Sequence, residues 1–291
     1  MGAAVTAAPP RRRGLYARRR VDVADHTAEL DGQPVFWRSA SSPSGDHAPV
    51  LYVHGIPTSS DDWLPFLERT GGLAPDLLGF GRSGKGGQND YSLEGIARFV
   101  ERYLDEVVEV ERVRLVVHDW GSAALAFAQR HPERIERLVV INAVPLLPGY
   151  RWHRVARLWR TPFVGEMTIG LTIRPTLERG LRPAFVGPVP EGFAEQAMQH
   201  FDQGTQRAIL RLYRSAPEES LAASGRGLSS LSMPSLIVWG ARDPYISSRF
   251  GEQYAAELPN ARIDCVEDAG HWPWLDRPYL IDRIATFLEE S

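Results

Sequence analysis

The sequence predicts an α/β protein built on a mostly parallel, eight-stranded sheet with helices on both faces and a helical insertion. Three observations carry this. Short apolar runs alternate with segments whose apolar residues recur at helical spacing, the pattern of strands buried between covering helices. That rhythm breaks over residues 145–228 and resumes at Met233. The chain has 291 residues, 43% of them hydrophobic, enough to bury one large core and carry an insertion.

The elements follow in order. Thr27 to Trp37 holds two extended runs around Asp31-Gly32, a hairpin signal. Pro49 to Val53 is a short apolar run ending at His54-Gly55 and reads as a buried strand. Ser60 to Arg69 reads as a helix and Leu73 to Leu77 as a brief strand. Ser92 caps a helix running to Val108, with Ile96, Phe99, Val100, Tyr103, Leu104 and Val107 on its apolar side. Val113 to Val117 is a strand, followed at once by a helix from Gly121 to Arg130. Strands at Ile135–Ile141, Met233–Trp239 and Ile263–Val266 complete the sheet, with helices at Arg249–Glu257 and Tyr279–Leu288. The interrupting stretch is helical, rich in Trp and Arg, and punctuated by Pro175, Pro183, Pro188 and Pro190. It reads as a cap over the strand ends. The predicted organisation is a lead-in (residues 1–20), a core in two pieces (21–144 and 229–291) and a cap (145–228).

Composition narrows the function. A net charge of -3 gives no pull toward nucleic acid or anionic membrane. Cys265 is the sole cysteine, which excludes an internal disulfide and a thiolate metal cluster and fits a reducing cytoplasm. No run of about 18 apolar residues exists to span a membrane. Arg11-Arg12-Arg13 and Arg18-Arg19-Arg20 lack the apolar run an export signal needs. Met1-Gly2 with Thr6 formally fits an N-myristoylation pattern, but no second membrane signal accompanies it. The segment reads as a flexible, solvated lead-in.

The chemistry centres on Val117-His118-Asp119-Trp120-Gly121-Ser122, which ends a strand and opens a helix. A sharp strand-to-helix turn pushes its central side chain outward and needs small neighbours, a need Gly121 meets. A carboxylate there, favoured by the helix N-terminus, can attack an electrophilic sp3 carbon and form an alkyl-enzyme ester. Gly79-Phe80-Gly81-Arg82-Ser83-Gly84 fits a dinucleotide-binding G-x-G-x-x-G, but the helix that motif requires does not begin until Ser92.

Four motifs in order, His54-Gly55-Ile56-Pro57, Asp76 to Ser83, His118-Asp119-Trp120-Gly121 and Gly270-His271, resemble the α/β-hydrolase superfamily. The resemblance covers roughly Arg20 to Glu289 and lies with the epoxide hydrolase and haloalkane dehalogenase branch. It implies the α/β-hydrolase fold, and a nucleophile, acid and base in chain order at Asp119, Asp243 and His271. It further implies that the backbone N–H groups of Ile56 and Trp120 form an oxyanion hole, and that His54 shapes its loop. His271 would deprotonate water to cleave the ester, with Asp243 fixing its tautomer. No metal or cofactor is implied.

The two branches differ in how the leaving group is handled. An alkoxide needs O–H donors, whereas a halide needs weakly basic N–H donors. Val117 to Ala123 and Pro57-Thr58-Ser59-Ser60 look dehalogenase-like, and Trp120 suits both branches. Ile56 stands where many dehalogenases carry a polar halide-binding side chain. Tyr213, in Leu212-Tyr213-Arg214 and 30 positions before Asp243, resembles an epoxide hydrolase's ring-opening tyrosine. The second donor is His153 or Tyr150. The expected activity is therefore hydrolysis of an epoxide, with haloalkane dehalogenation as the alternative and a non-catalytic receptor as a third reading. Ester or C–C hydrolysis would call for Ser at the turn. Trp152, Trp159, Met167, Phe185 and Phe193 suggest an apolar pocket. The expected partners are a lipophilic small molecule and water, with no nucleic acid or membrane, and a homodimer left open.

Overall fold

The computed structural model describes residues 22–42 and 47–290; the lead-in, with its arginine triplets and myristoylation pattern, lies outside them. Eight strands form one sheet: β1 Val23–Leu30, β2 Gln33–Ala40, β3 Val50–Val53, β4 Gly72–Pro75, β5 Val113–His118, β6 Ile135–Ile141, β7 Ser235–Gly240 and β8 Ala261–Val266. Their order is β1-β2-β4-β3-β5-β6-β7-β8, antiparallel at β1-β2 and β2-β4 and parallel from β4 to β8. Asp31 and Gly32 both take positive φ, 52° and 71°, which matches the right-handed twist of a tight hairpin.

Every residue of β3, β5 and β7 is buried. Alternation explains why the middles of these strands are apolar on both sides. Leu115 and Val117 enter one core with Leu51, Val53, Val140 and Trp239, while Val116 enters the other with Tyr52, Val139 and Val238. Arg114, buried in β5, satisfies its guanidinium on the carbonyls of Ala48 and Leu288, each at 2.7 Å.

The core helices are α1 Leu64–Thr70, α2 Leu93–Arg102, α3 Ala124–Arg130, then α10 Arg249–Glu257, α11 Pro273–Asp276 and α12 Tyr279–Glu289. Ser92 caps α2 by accepting the Gly95 N–H at 3.1 Å. Several helices expected as single units begin or end in tighter or wider turns: a 3-10 turn precedes α1 and α3, and a π turn (Tyr103–Val107) extends α2. Between β6 and β7 lie α4 Arg154–Arg160, α5 Val164–Gly170, α6 Arg174–Leu181, α7 Phe193–Gln199, α8 Gln203–Ser215 and α9 Glu218–Ser224. Among the described residues, no helix is long and apolar enough to cross a membrane. α8, the longest of the insert, is capped by Asp202, which accepts the Thr205 N–H at 2.9 Å. Lys85 ties that cap to the core through His200 O and Asp202 Oδ2, both at 2.8 Å.

Candidate active site

Asp119 stands where β5 turns into the helical segment leading to α3, at φ +49°, a left-handed conformation rare outside glycine. Small neighbours make this possible. A Cβ on Gly121 would lie 2.2 Å from the Val53 carbonyl oxygen, and one on Gly55 would lie 2.4 Å from Asp119 Oδ2. The Asp119 carbonyl accepts the Val144 N–H at 2.9 Å, which pins the turn to the end of β6. Its Oδ2 accepts the Ile56 N–H at 2.9 Å, and the Trp120 N–H also bonds the carboxylate. Burial nevertheless dominates and raises the Asp119 pKa.

His271 follows β8. Its Nδ1 meets Asp243 Oδ2 at 2.7 Å, and its Nε2 lies 3.8 Å from Asp119 Oδ1, too far for a direct hydrogen bond. The sequence-distant residues 119, 243 and 271 are thus gathered at one point. Burial opposes a charged His271, but Asp243, Asp119 and Asp62 together outweigh it and raise its pKa. His118 donates from Nε2 to the His271 carbonyl at 2.9 Å and packs against its ring. Asp243 is saturated with donors. Oδ1 accepts the N–H groups of Tyr245 and Ile246 at 2.7 and 3.1 Å, and Oδ2 accepts the Asn142 amide at 2.7 Å as well as His271.

Two of these residues escaped the sequence reading. Asn142 follows β6 at φ +35°, and also accepts the Gly240 N–H at 2.9 Å, so it joins the ends of two strands to the acid. Asp62 is buried behind His271, accepting from Thr58 Oγ1 at 2.6 Å and from Trp272 Nε1 at 3.2 Å. Burial pushes its pKa up to about 7 against those hydrogen bonds. A third, Tyr245, sits edge-on to His271 and donates its hydroxyl to the Gly180 carbonyl at 3.2 Å. The Asp243-Pro244 turn that marked the acid was the only local signal near it.

A cavity of about 410 Å³ lies between this site and the insert, and Asp119, His271, Ile56, Trp159, Tyr213 and Leu171 are among its walls. Tyr213, on α8, is buried edge-on to Trp120, Trp152 and Trp159. Its hydroxyl lies beside the Trp120 indole N–H, which is buried without a well-aligned acceptor. Tyr150 and His153 also line the cavity. His153 caps α4, its Nδ1 accepting the Ala156 N–H at 3.4 Å, so its proton belongs on Nε2; burial lowers its pKa to about 4. Trp152 and Trp159 line the cavity as expected, but Met167, Phe185 and Phe193 do not. Met167 is exposed at 68%, while Phe185 and Phe193 are buried against Trp272.

Two motif residues have structural tasks. His54 is fully buried, donating from Nδ1 to Gly55 O at 2.6 Å and accepting the Leu77 N–H on Nε2 at 3.0 Å. The glycine-rich turn holds an anion of its own chain: Asp76 accepts the N–H groups of Ser60 and Arg82, each at 2.7 Å, and a Cβ on Gly81 would strike its carboxylate.

Comparison with known proteins agrees with this geometry. Haloalkane dehalogenase 1 of Mycobacterium tuberculosis is 31% identical over 256 residues, spanning 80% of this chain and 82% of its own. A haloalkane dehalogenase structure from Bradyrhizobium elkani superposes with a TM-score of 0.79 at 26% identity, covering 92% of this chain and 98% of that one. An epoxide hydrolase solved without ligand shares the fold, with a TM-score of 0.77 at 22% identity over 91% of this chain and 98% of its own. The profile of the alpha/beta hydrolase family matches residues 50–281. That span takes in the sheet from β3 onward together with Asp119, Asp243 and His271, so this chain is a hydrolase of the α/β-hydrolase family.

Proposed function

We propose that this protein is an epoxide hydrolase that converts a lipophilic epoxide to a vicinal diol through an ester on Asp119, the insert acting as its cap. The observation that carries the reading is the presentation of Tyr213 and Tyr150 to the same cavity as Asp119. An epoxide oxygen departs as a basic alkoxide and needs a proton, whereas chloride needs none. Tyr213 lies where the Trp120 N–H can donate to its oxygen, which leaves its own proton for the substrate. Tyr150 and His153 both line the cavity, and each is a candidate for the second donor.

The steps follow from the contacts. Asp119 Oδ1 attacks a ring carbon, the C–O bond breaks, and Tyr213 protonates the alkoxide. Oδ2, already held by Ile56, becomes the ester carbonyl oxygen. Ester formation removes the Asp119 charge, one of the influences that raises the His271 pKa, and so favours the neutral base. His271 Nε2 then takes a proton from water, whose oxygen adds to the ester carbonyl. The oxyanion is stabilised by the N–H groups of Ile56 and Trp120. Collapse expels the ester oxygen, which takes the proton left on the added hydroxyl, so that the diol departs and the Asp119 carboxylate is restored; the proton on His271 returns through solvent to Tyr213.

The second reading is haloalkane dehalogenation, favoured by the Trp120 indole N–H, which no acceptor engages with good geometry, and by likeness to the dehalogenases above. Against it, the Trp152 N–H is already given to the Ala216 carbonyl at 3.0 Å, and Ile56 offers an aliphatic side chain. Matched terminal epoxides and haloalkanes decide between them: diol from the epoxide without halide release supports the first reading, and halide alone overturns it. A single turnover in heavy-oxygen water tests the ester. The heavy atom should enter the Asp119 carboxylate and be absent from the product; its appearance in the product would mean direct attack by water.

A further inference from the structure

We propose that the outer face of α4 and α5 docks on the surface of an anionic lipid bilayer. Nine large apolar side chains are exposed among the described residues, and seven of them fall between Val155 and Ile173. A monomer in water has no use for so concentrated an apolar surface. Phe163 makes the point most sharply. It is 83% exposed and holds φ at +65°, a strained conformation for a bulky residue, between α4 and α5. The strain wins no packing for that side chain; it turns the ring outward.

Charge identifies the occupant. Residues 151–182 carry seven arginines and two glutamates, a surplus of five positive charges in a chain whose net charge is -3. Arg151, Arg154 and Arg157 are exposed with no ion pair among the described residues, whereas Glu166 is taken by Arg214. Exposed apolar side chains with unpaired arginines beside them on α4 match the hydrocarbon and headgroups of an anionic leaflet. A second copy of this chain fits poorly, because a two-fold interface would set the same basic surface against itself. The geometry also gives the docking a use. Val155, Leu158 and Leu171 belong to both the exposed face and the cavity wall, so a lipophilic molecule dissolved in the bilayer reaches Asp119 along apolar side chains. This holds whichever leaving group the triad displaces.

The full chain should co-sediment with vesicles of phosphatidylcholine containing about one-third phosphatidylglycerol, more weakly at high salt, and not with phosphatidylcholine alone. Neutralising Arg154→Gln with Arg157→Gln should weaken binding about thirtyfold. Phe163→Ser with Met167→Ser should weaken it about tenfold or more. None of the four lines the cavity, so turnover of a water-soluble substrate without vesicles should be unchanged and report an intact fold. Absence of vesicle binding overturns the proposal. Undiminished binding by both variants overturns it too, and assigns the attraction to basic residues elsewhere, such as Arg11–Arg13. A dimer that the same substitutions dissociate would give this face to a second copy and likewise overturn it.

Discussion

Asp62 shows how a residue remote from the reacting atoms can govern the base. Its carboxyl is buried beside the Trp272 indole and acts on His271 by charge alone. The sign is fixed by the raised pKa of about 7. Below the ordinary carboxylate pKa it is protonated whether folded or not. From there upward the unfolded chain releases its proton first, so stability falls with rising pH until the buried group ionises too. Asp62→Asn should therefore gain stability over wild type across that window, by up to about 4 kcal/mol, read from denaturant midpoints at several pH values. It should also lower the His271 pKa, moving the acidic limb of the rate profile to lower pH. A limb that stays put would show that Asp62 does not reach the base. No local pattern betrays Asp62 or Asn142, since each reaches the site through a distant partner, Trp272 for Asp62 and Asp243 for Asn142.

At the scale of elements, the turn at Asp119 depends on two glycines from different segments. Gly121→Ala would drive a methyl group into backbone that cannot yield, because the opposing atom is the β3 carbonyl of Val53. Gly55→Ala meets a side chain instead, that of Asp119 itself. The first should lower the melting temperature markedly. The second should fold but lose about a hundredfold or more in kcat by displacing the nucleophile. Equal melting losses for both would contradict this division. The sequence reported such elements well where apolar runs were continuous, and β3, β5 and β6 fall within a residue or two of their expected bounds. It reported the insert poorly. Four of its six helices have only seven residues, so periodicity cannot say which side faces inward, and Met167 and Phe193 were misjudged for that reason.

For the whole molecule, the sheet gathers three distant residues because β5, β7 and β8 run parallel and end at the same edge. Chain order and strand ends were legible; the shape of the space above them was not, since it depends on how the insert helices meet. The cost of the arrangement is concentrated at position 119, where a buried carboxylate with a raised pKa also holds a left-handed backbone. Asparagine tolerates that backbone and carries no charge. At about pH 8, Asp119→Asn should melt above wild type, a gain that shrinks toward about pH 4. A lower melting temperature would refute this. Engineers selecting this scaffold for heat resistance alone would therefore be rewarded for inert clones, and any such campaign has to screen for turnover at each round.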